Sequence, residues 1–302
     1  LGFDREGFET VFVNDVWDKA LKTLKQNNPK LKDEQIVHGD INKLCNENLI
    51  ERFNMTEGDL DVLIGGVVCK GFSLAGVRNP YDIRNYLYIS QLKLVEQLRP
   101  KISIIENVPG MKNMKILVKK DFAPWSKALK QDTADSVENI CKKITEVIDK
   151  LKKNNGSIIA INKKINAGST SELVEIKEGL DKEKKELTTL RKSMEKNLEK
   201  YKYSVIKDIE EKYKELGYRV TMKKLKVSEY GGYTNRIRLI IVAVRNDVEK
   251  DWEWPELMNS DKDDNLPNLN TVKDALDLMD STINDISNDP DNKPMNHRKS
   301  TV

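Results

Sequence analysis

Asp61-Val62-Leu63-Ile64-Gly65-Gly66-Val67-Val68-Cys69-Lys70-Gly71-Phe72-Ser73 decides how the rest of the chain is read. Asp61 to Ile64 is an apolar run of strand length, and two glycines end it. Cys69 then opens a Gly-rich loop. A thiol at the carboxyl end of a strand, near backbone N–H groups, is where a nucleophilic thiolate is commonly held. The same stretch also fits a small buried cysteine beside a tight turn. The rest of the chain separates the two.

Upstream, Thr10-Val11-Phe12-Val13-Asn14 reads as a strand ending in Asp15, and Trp17 to Leu24 has helical spacing. Asp15 is either an acid at a strand tip, placed to bond ribose hydroxyls, or the N-cap of that helix. Ile36-Val37-His38 is a short strand closed by Gly39-Asp40-Ile41. Downstream, Tyr88 to Leu98 reads as an amphipathic helix. Ile102-Ser103-Ile104-Ile105 is a strand, followed by Glu106-Asn107-Val108-Pro109-Gly110. Strands alternating with helices predict an α/β fold with a parallel sheet, whose ligands sit at the carboxyl ends of strands. Asp15, Asp40, Cys69 and Glu106 all fall at such ends.

From about Asn113 to Leu216 the character changes. Val137, Ile140, Ile144, Val147 and Leu151 keep a three-four spacing. Leu173, Ile176, Leu180, Leu187, Leu190 and Met194 largely keep it too, with Lys and Glu between. Two long helices joined by a softer Asn154–Ser171 segment are expected, as a helical hairpin. Tyr218 to Met222 and Ile237 to Val244 read as strands, antiparallel because the link between them is short. Arg236 and Arg238 alternate and so share a side of the second strand. A helix is expected over Thr271–Met279. The last twenty residues read as polar and irregular.

Composition narrows the class. Of 302 residues, 38% are hydrophobic and 33% charged, so part of the chain is read as solvated helix. The net charge of +3 gives no global polycation argument for nucleic acid. Cys45, Cys69 and Cys141 are odd in number and far apart, which points to a reducing, cytoplasmic setting. His38 and His297 are too far apart to form a metal cluster, and no apolar run reaches the roughly 18 residues of a membrane span. From the opening at Leu1, in what reads as mid-helix, an internal fragment is expected.

Together these residues resemble the C5-cytosine DNA methyltransferases. Gly65 to Ser73 is similar to that family's Pro-Cys-Gln loop. Glu106-Asn107-Val108 matches its Glu-Asn-Val motif, and Arg236-Ile237-Arg238 its Arg-x-Arg motif. Asp15 and Gly39-Asp40-Ile41 correspond to its cofactor-binding acids. Asp82-Ile83-Arg84-Asn85-Tyr86-Leu87 resembles the cofactor-contacting segment after the catalytic loop. Order and spacing agree over roughly residues 1–112 and 216–300. The family's proline before the cysteine is Val68 here, its glutamine after it is Lys70, and its Pro-Gln before the arginine pair is Tyr233-Thr234. The family's Gly-rich first cofactor loop would precede Leu1, and its target-recognition domain would follow Val302.

The resemblance implies a Rossmann-like, S-adenosylmethionine-dependent methyltransferase sheet. It would be mostly parallel with an antiparallel edge hairpin, and would carry an inserted helical hairpin. Residues 1–112 would be the cofactor-binding and catalytic half and 113–216 the insertion. Residues 217–250 would hold the returning strands, and 251–302 a polar segment leading to the target-recognition domain. The implied catalytic residues are Cys69, Glu106, Arg236 and Arg238. Asp15, Val16, Asp40, Ile41, Val68 and Leu87 would bind S-adenosylmethionine, and Lys70, Ser73 and Arg84 would touch DNA. The implied reaction is methyl transfer to carbon 5 of a flipped cytosine in double-stranded DNA, without a metal, in a prokaryotic or viral restriction-modification setting. The protein would be a monomer, with the hairpin as a surface for a partner. Two other functions stay open: a non-catalytic homologue that binds DNA or a partner, which the altered residues around Cys69 favour, and another Rossmann-type methyltransferase, such as one acting on RNA.

Overall fold

The computed structural model describes residues 2–67, 83–117, 131–168 and 170–277. Helices and strands alternate in its first half: α1 (Gly2–Arg5), β1 (Val13–Asp15), α2 (Asp18–Asn27), β2 (Ile36–His38), α3 (Ile41–Leu44), α4 (Leu49–Arg52), β3 (Val62–Gly65), α5 (Leu87–Leu98) and β4 (Ile102–Asn107). Then come β5 (Lys115–Leu117), α6 (Gln131–Ala167), α7 (Ser171–Leu198), β6 (Lys202–Ser204), α8 (Val205–Glu215), β7 (Tyr218–Lys226), β8 (Ile237–Arg245) and α9 (Val272–Asp277). The expected irregular tail beyond Asp277 lies outside the described residues.

The chain divides into two units. The first is residues 1–223 with 239–252, and the second is 224–238 with 253–302. The main sheet has the order β3-β4-β8-β7. β3 and β4 are parallel, with Gly65 opposite Ile105. β8 runs antiparallel to β4, with Glu106 opposite Ile240. β7 and β8 are also antiparallel: Asn246 N–H donates to Gly217 O at one end (2.9 Å), and Val227 N–H to Arg236 O at the other (2.8 Å). β1 and β2 form a separate parallel pair, and β5 and β6 a small antiparallel one. The described sheet is therefore mixed rather than mostly parallel. The short link from β7 reverses the chain, so β8 must run backwards beside β4.

The core of the first unit forms around α5. Tyr88, Ile89, Leu92, Leu94, Val95 and Leu98 are all buried on it, so it is covered on most sides rather than being a surface helix with one wet face. Ile105 of β4, Leu239, Ile241 and Ala243 of β8, and Ile206, Ile209 and Tyr213 of α8 close over it. Several polar groups inside are paired. Tyr88 donates its hydroxyl to Asp208 Oδ2 at 2.7 Å and lies 3.1 Å from the Tyr203 hydroxyl. Gln91 Nε2 donates to Ser103 Oγ, which is 2.8 Å from the Tyr213 hydroxyl.

Burial holds Tyr88, Tyr203 and Tyr213 well above the ordinary phenol range and pushes Tyr218 up to about 12. In an unfolded chain tyrosine ionises near pH 10. Above that pH the unfolded state sheds protons that the folded state keeps, so stability must fall as pH rises. We expect the melting temperature to drop as pH is raised past about 10. Phenolate absorbance should lag behind the titration of free tyrosine until the chain unfolds. Tyrosines titrating normally in a still-folded protein would contradict this burial.

α6 and α7 form the long hairpin, but its turn is not where the sequence places it. α6 runs unbroken through Asn154 and Gly156 to Ala167. Asn154 is buried in the seam, donating to Leu180 O (3.1 Å) and Glu183 Oε2 (2.7 Å) of the facing helix. Its amide nitrogen is thus paired inside the helix pair, although its Oδ1 is buried without a hydrogen-bond partner, and the residue does not mark a joint. α6 ends at Ala167, and Thr170 Oγ1 caps α7 by accepting from Leu173 N–H. At the base, Leu117, Val137, Cys141, Ile144, Ile148 and Leu198 form their own cluster.

β5, β6 and α8 also lie inside the 113–216 segment, and Ile116, Tyr203, Val205, Ile206, Ile209 and Tyr213 join the main core. Excising 113–216 should therefore prevent folding. Replacing only 132–193 with a short linker should leave one cooperative thermal transition. Loss of that transition in the shorter deletion would show that the hairpin helps hold the core.

In the second unit, Glu229 O accepts from Met258 N–H (2.9 Å) and Asn259 N–H (3.2 Å). Ser228 Oγ bonds Asn235 Oδ1, and Asn270 Nδ2 donates to Gly231 O. These bonds fix the loop from Tyr230 to Arg236. No helix among the described residues is long and apolar enough to cross a membrane.

Candidate active site

The carboxyl ends of β1 and β2 are tied together by Asn14, whose Nδ2 donates to Val37 O (2.9 Å) and Gly39 O (3.1 Å). Gly39 N–H donates to Asp15 O. This holds Asp15 at the tip of β1. Its Oδ1 accepts from Trp17 N–H at 2.8 Å, while the N-cap of α2 is Trp17 itself. One carboxylate oxygen thus fixes the turn, and Oδ2 lies outside that bond. Val16 follows, 66% exposed. Asp40 is the N-cap of α3, with Oδ1 accepting from Asn42 N–H (2.9 Å) and Asn42 Nδ2 (3.0 Å). Asn42 Oδ1 in turn accepts from the Ser90 hydroxyl at 2.6 Å, joining this tip to α5.

Asp15, Val16, Asp40, Ile41, Arg84 and Leu87 all line one cavity of about 1490 Å³. Gly65, Gly66 and Val67 line it too, at the end of β3. Ile41 opens α3, Leu87 opens α5, and Arg84 sits exposed in the single helical turn Ile83–Tyr86 ahead of it. At Gly65 a Cβ atom would lie 2.3 Å from Gln91 Oε1, so only glycine lets the strand end pass this buried side chain. Val68, Cys69, Lys70 and Ser73 lie outside the described residues, directly after this strand end.

Glu106 is on β4, one step past Ile105 and so past the level of Gly65. Its neighbour Asn107 is buried and donates Nδ2 to Val67 O at 3.1 Å, while its Oδ1 accepts from Val108 N–H at 2.8 Å. Asn107 thus pins the last described residue before the Cys69 loop to the strand that carries Glu106. Sequence reasoning gave Asn107 no part, although it is the middle of the Glu-Asn-Val motif. Gln91 was missed too, and nothing in the sequence marks a polar helix residue that packs on a distant glycine.

Two of the three cysteines are described. Burial pushes the Cys45 thiol up to about 11, and it donates to Ser90 O at 3.3 Å. Cys141 is buried in the hairpin cluster. Neither is placed as a nucleophile. Arg236 and Arg238 belong to the second unit. Arg236 is exposed and precedes β8, while Arg238 is half-buried, its Nη1 donating to Ile237 O.

The cavity could hold a nucleoside. Its carboxylates suit hydroxyl and amino donors, and Val16, Ile41 and Leu87 suit the face of a base. A family model for C-5 cytosine-specific DNA methylase matches residues 1–131 and 194–302, and the unmatched 132–193 lie within α6 and α7. The type II methyltransferase M.AgeI of Thalassovita gelatinovora is 37% identical over 113 residues, which is 37% of this chain and 26% of that protein. M.BspRI of Lysinibacillus sphaericus, also a type II methyltransferase, is 25% identical over 284 residues, 94% of this chain and 42% of that protein. An E. coli prophage-encoded protein described as a DNA modification methyltransferase has TM-score 0.47 and 20% identity, over 93% of this chain and 51% of its own. The chain spans less than half the length of these curated relatives. With the family model covering both arms of the sequence around the hairpin, this chain belongs to the C-5 cytosine-specific DNA methylase family.

Proposed function

We propose that the whole protein transfers a methyl group from S-adenosylmethionine to carbon 5 of a cytosine flipped out of double-stranded DNA, with Cys69 as nucleophile. One observation carries the reading most: both carboxylates at the β1 and β2 tips line the same cavity as the strand end leading to Cys69. Asp15 and Asp40 would hold the cofactor's ribose hydroxyls and adenine amino group, and Ile41 and Leu87 its apolar surface. Bound there, the cofactor supplies an electrophilic methyl group.

Cytosine carbon 5 is a poor nucleophile. Addition of the Cys69 thiolate to carbon 6 pushes electrons toward ring nitrogen 3 and makes carbon 5 enamine-like. Glu106, carrying a proton, donates it to nitrogen 3 as that charge develops. After carbon 5 takes the methyl group, nitrogen 3 returns its proton to the Glu106 carboxylate, the carbon 5 proton passes to water, and the electron pair of that C–H bond expels the thiolate, restoring the ring. Arg238 keeps the role the resemblance implies, steadying the cytosine O2, with Arg236 beside it in sequence. Lys70 adds a positive charge next to the thiol, which favours the thiolate or binds a phosphate. The base must leave the stack before any of this happens. The type II methyltransferases that the chain resembles support a restriction-modification setting.

The test is methyl transfer by the whole protein from labelled S-adenosylmethionine. Duplex DNA and RNA are offered in parallel, and the product nucleosides are separated. Label in 5-methyldeoxycytidine supports the reading. Label only in RNA would assign a different substrate, and tight DNA binding without transfer would favour the binding module.

A further inference from the structure

Residues 132–193 of the hairpin lie outside the family match, and the proposed chemistry gives them no part. Their seam keeps a heptad pattern. On α6, Leu151, Ile158 and Ile165 take position a, and Asn154 and Ile161 take position d; all are buried or half-buried. On α7, Leu173, Leu180, Leu187 and Met194 take d, with Lys177 and Arg191 at a, and all are half-buried. Position g lies next to d on a helix surface. In two antiparallel helices the g positions of both fall on the same side of the seam. Asn154, at d, bonds Glu183, at g of the facing helix, and so marks that side.

On that side the row of α6 is Lys150, Lys153, Ser157, Ala160 and Lys164, spaced three and four apart. The row of α7 is Glu172, Ile176, Gly179, Glu183 and Glu186. Ser157 is half-buried and the rest are exposed. The first row holds no acid and the second no base. Among the described residues, the ion pairs on these helices run along one helix, as Lys152 to Asp149 does, and none uses a charge of either row. Ile176 is 45% exposed, and a Cβ on Gly179 would meet nothing within 4 Å. Asn154 meets Leu180 and Glu183, which sets the register. Lys150 is then level with Glu186, Lys153 with Glu183, Ser157 with Gly179, Ala160 with Ile176, and Lys164 with Glu172.

Such a face is complementary to a copy of itself. A twofold axis along the hairpin lays α6 of one protomer on α7 of its partner at the same levels. Every lysine of the row then meets a glutamate, and Ile176 and Gly179 meet Ala160 and Ser157. Small side chains at that contact let the helices approach closely. A twofold axis across the hairpin would instead set lysine against lysine, which like-charge repulsion disfavours. A nucleic acid suits the lysine row alone and is repelled by the glutamates beside it. We propose that this face joins two copies of the chain in a four-helix contact, instead of the monomer that the resemblance implies. The contact forms whether or not Cys69 is a nucleophile.

Sedimentation of the whole protein tests this with two charge-reversed variants. One carries Lys150→Glu and Lys164→Glu, the other Glu172→Lys and Glu186→Lys; Glu183 is left to hold Asn154. The unaltered protein should dimerise, more weakly as salt is raised. Each variant alone sets four pairs of like charges together across the twofold axis, so its dimer dissociation constant should rise at least about tenfold. An equimolar mixture of the two restores every pair and should associate as the unaltered protein does. Thermal melting checks that each variant folds. If one does not, the version with 132–193 replaced by a linker decides, and it should be monomeric. A protein monomeric up to about 100 μM would overturn the proposal, because a weaker contact is not a specific dimer. So would a dimer that survives charge reversal or loss of the hairpin, or folded variants that fail to associate on mixing. Weakened binding of duplex DNA by the lysine variant, with no dimer of the unaltered protein, would assign the face to DNA instead.

Discussion

Cys69→Ser in the whole protein is expected to abolish the covalent adduct with DNA carrying 5-fluorocytosine, and to cut methyl transfer by at least about ten-thousand-fold. Fluorine at carbon 5 cannot leave as the proton does, so after addition and methylation the thiolate cannot be expelled. The adduct of the unaltered protein therefore accumulates. A serine hydroxyl is almost wholly un-ionised at neutral pH and adds poorly to carbon 6. Nothing else described can take its place. Cys45 is held protonated by burial, and Cys141 is enclosed in the hairpin base. The substitution changes one atom in the loop, so DNA affinity should stay within a few-fold. An adduct that persists in Cys69→Ser would remove this residue from the mechanism.

Glu106→Gln should slow the chemical step by roughly a hundred- to ten-thousand-fold, the usual range for loss of a general acid. The amide keeps a hydrogen-bond donor and nearly the same shape but has no acidic proton to give to nitrogen 3. The loss should therefore appear in kcat, with cofactor and DNA affinities little changed. Adduct formation should slow in step, because protonation accompanies thiol addition. The neighbouring Asn107 supplies a contrast. Its side chain holds Val67 and Val108, so Asn107→Ala should disturb the loop before Cys69 as well as the chemistry. If Glu106→Gln instead weakens DNA binding by the same factor as it slows turnover, Glu106 serves structure rather than proton transfer.

Much of the fold was legible because its strands are short apolar runs with clear stops. β2, β4, β7 and β8 begin at Ile36, Ile102, Tyr218 and Ile237 as read, and β3 begins one residue after the expected Asp61. Those strand ends also made Asp15 and Asp40 visible as tip residues, and both do line one cavity. Other features left no such trace. β5 and β6 have three residues each, too few to show a period. α8 shares the Lys- and Glu-rich surface of the hairpin, so Val205, Ile206, Ile209 and Tyr213 read as more of the insertion, although they are buried in the main core. Asn154 and Gly156 read as a joint because local propensity disfavours helix there, yet pairing with α7 outweighs a cost of about 1 kcal/mol for the glycine. That β8 runs opposite to β7 was legible from the short link, but that it lies between β7 and β4 is a tertiary fact that the run Ile237–Val244 does not carry.

The most direct measurement is where DNA becomes attached. The whole protein is incubated with S-adenosylmethionine and a 5-fluorocytosine duplex, digested, and mapped by mass spectrometry. The account predicts a single modified peptide, the one containing Cys69, bearing a methylated fluorocytosine. Attachment at Cys45 or Cys141, or a methylated product formed with no attached intermediate, would contradict it.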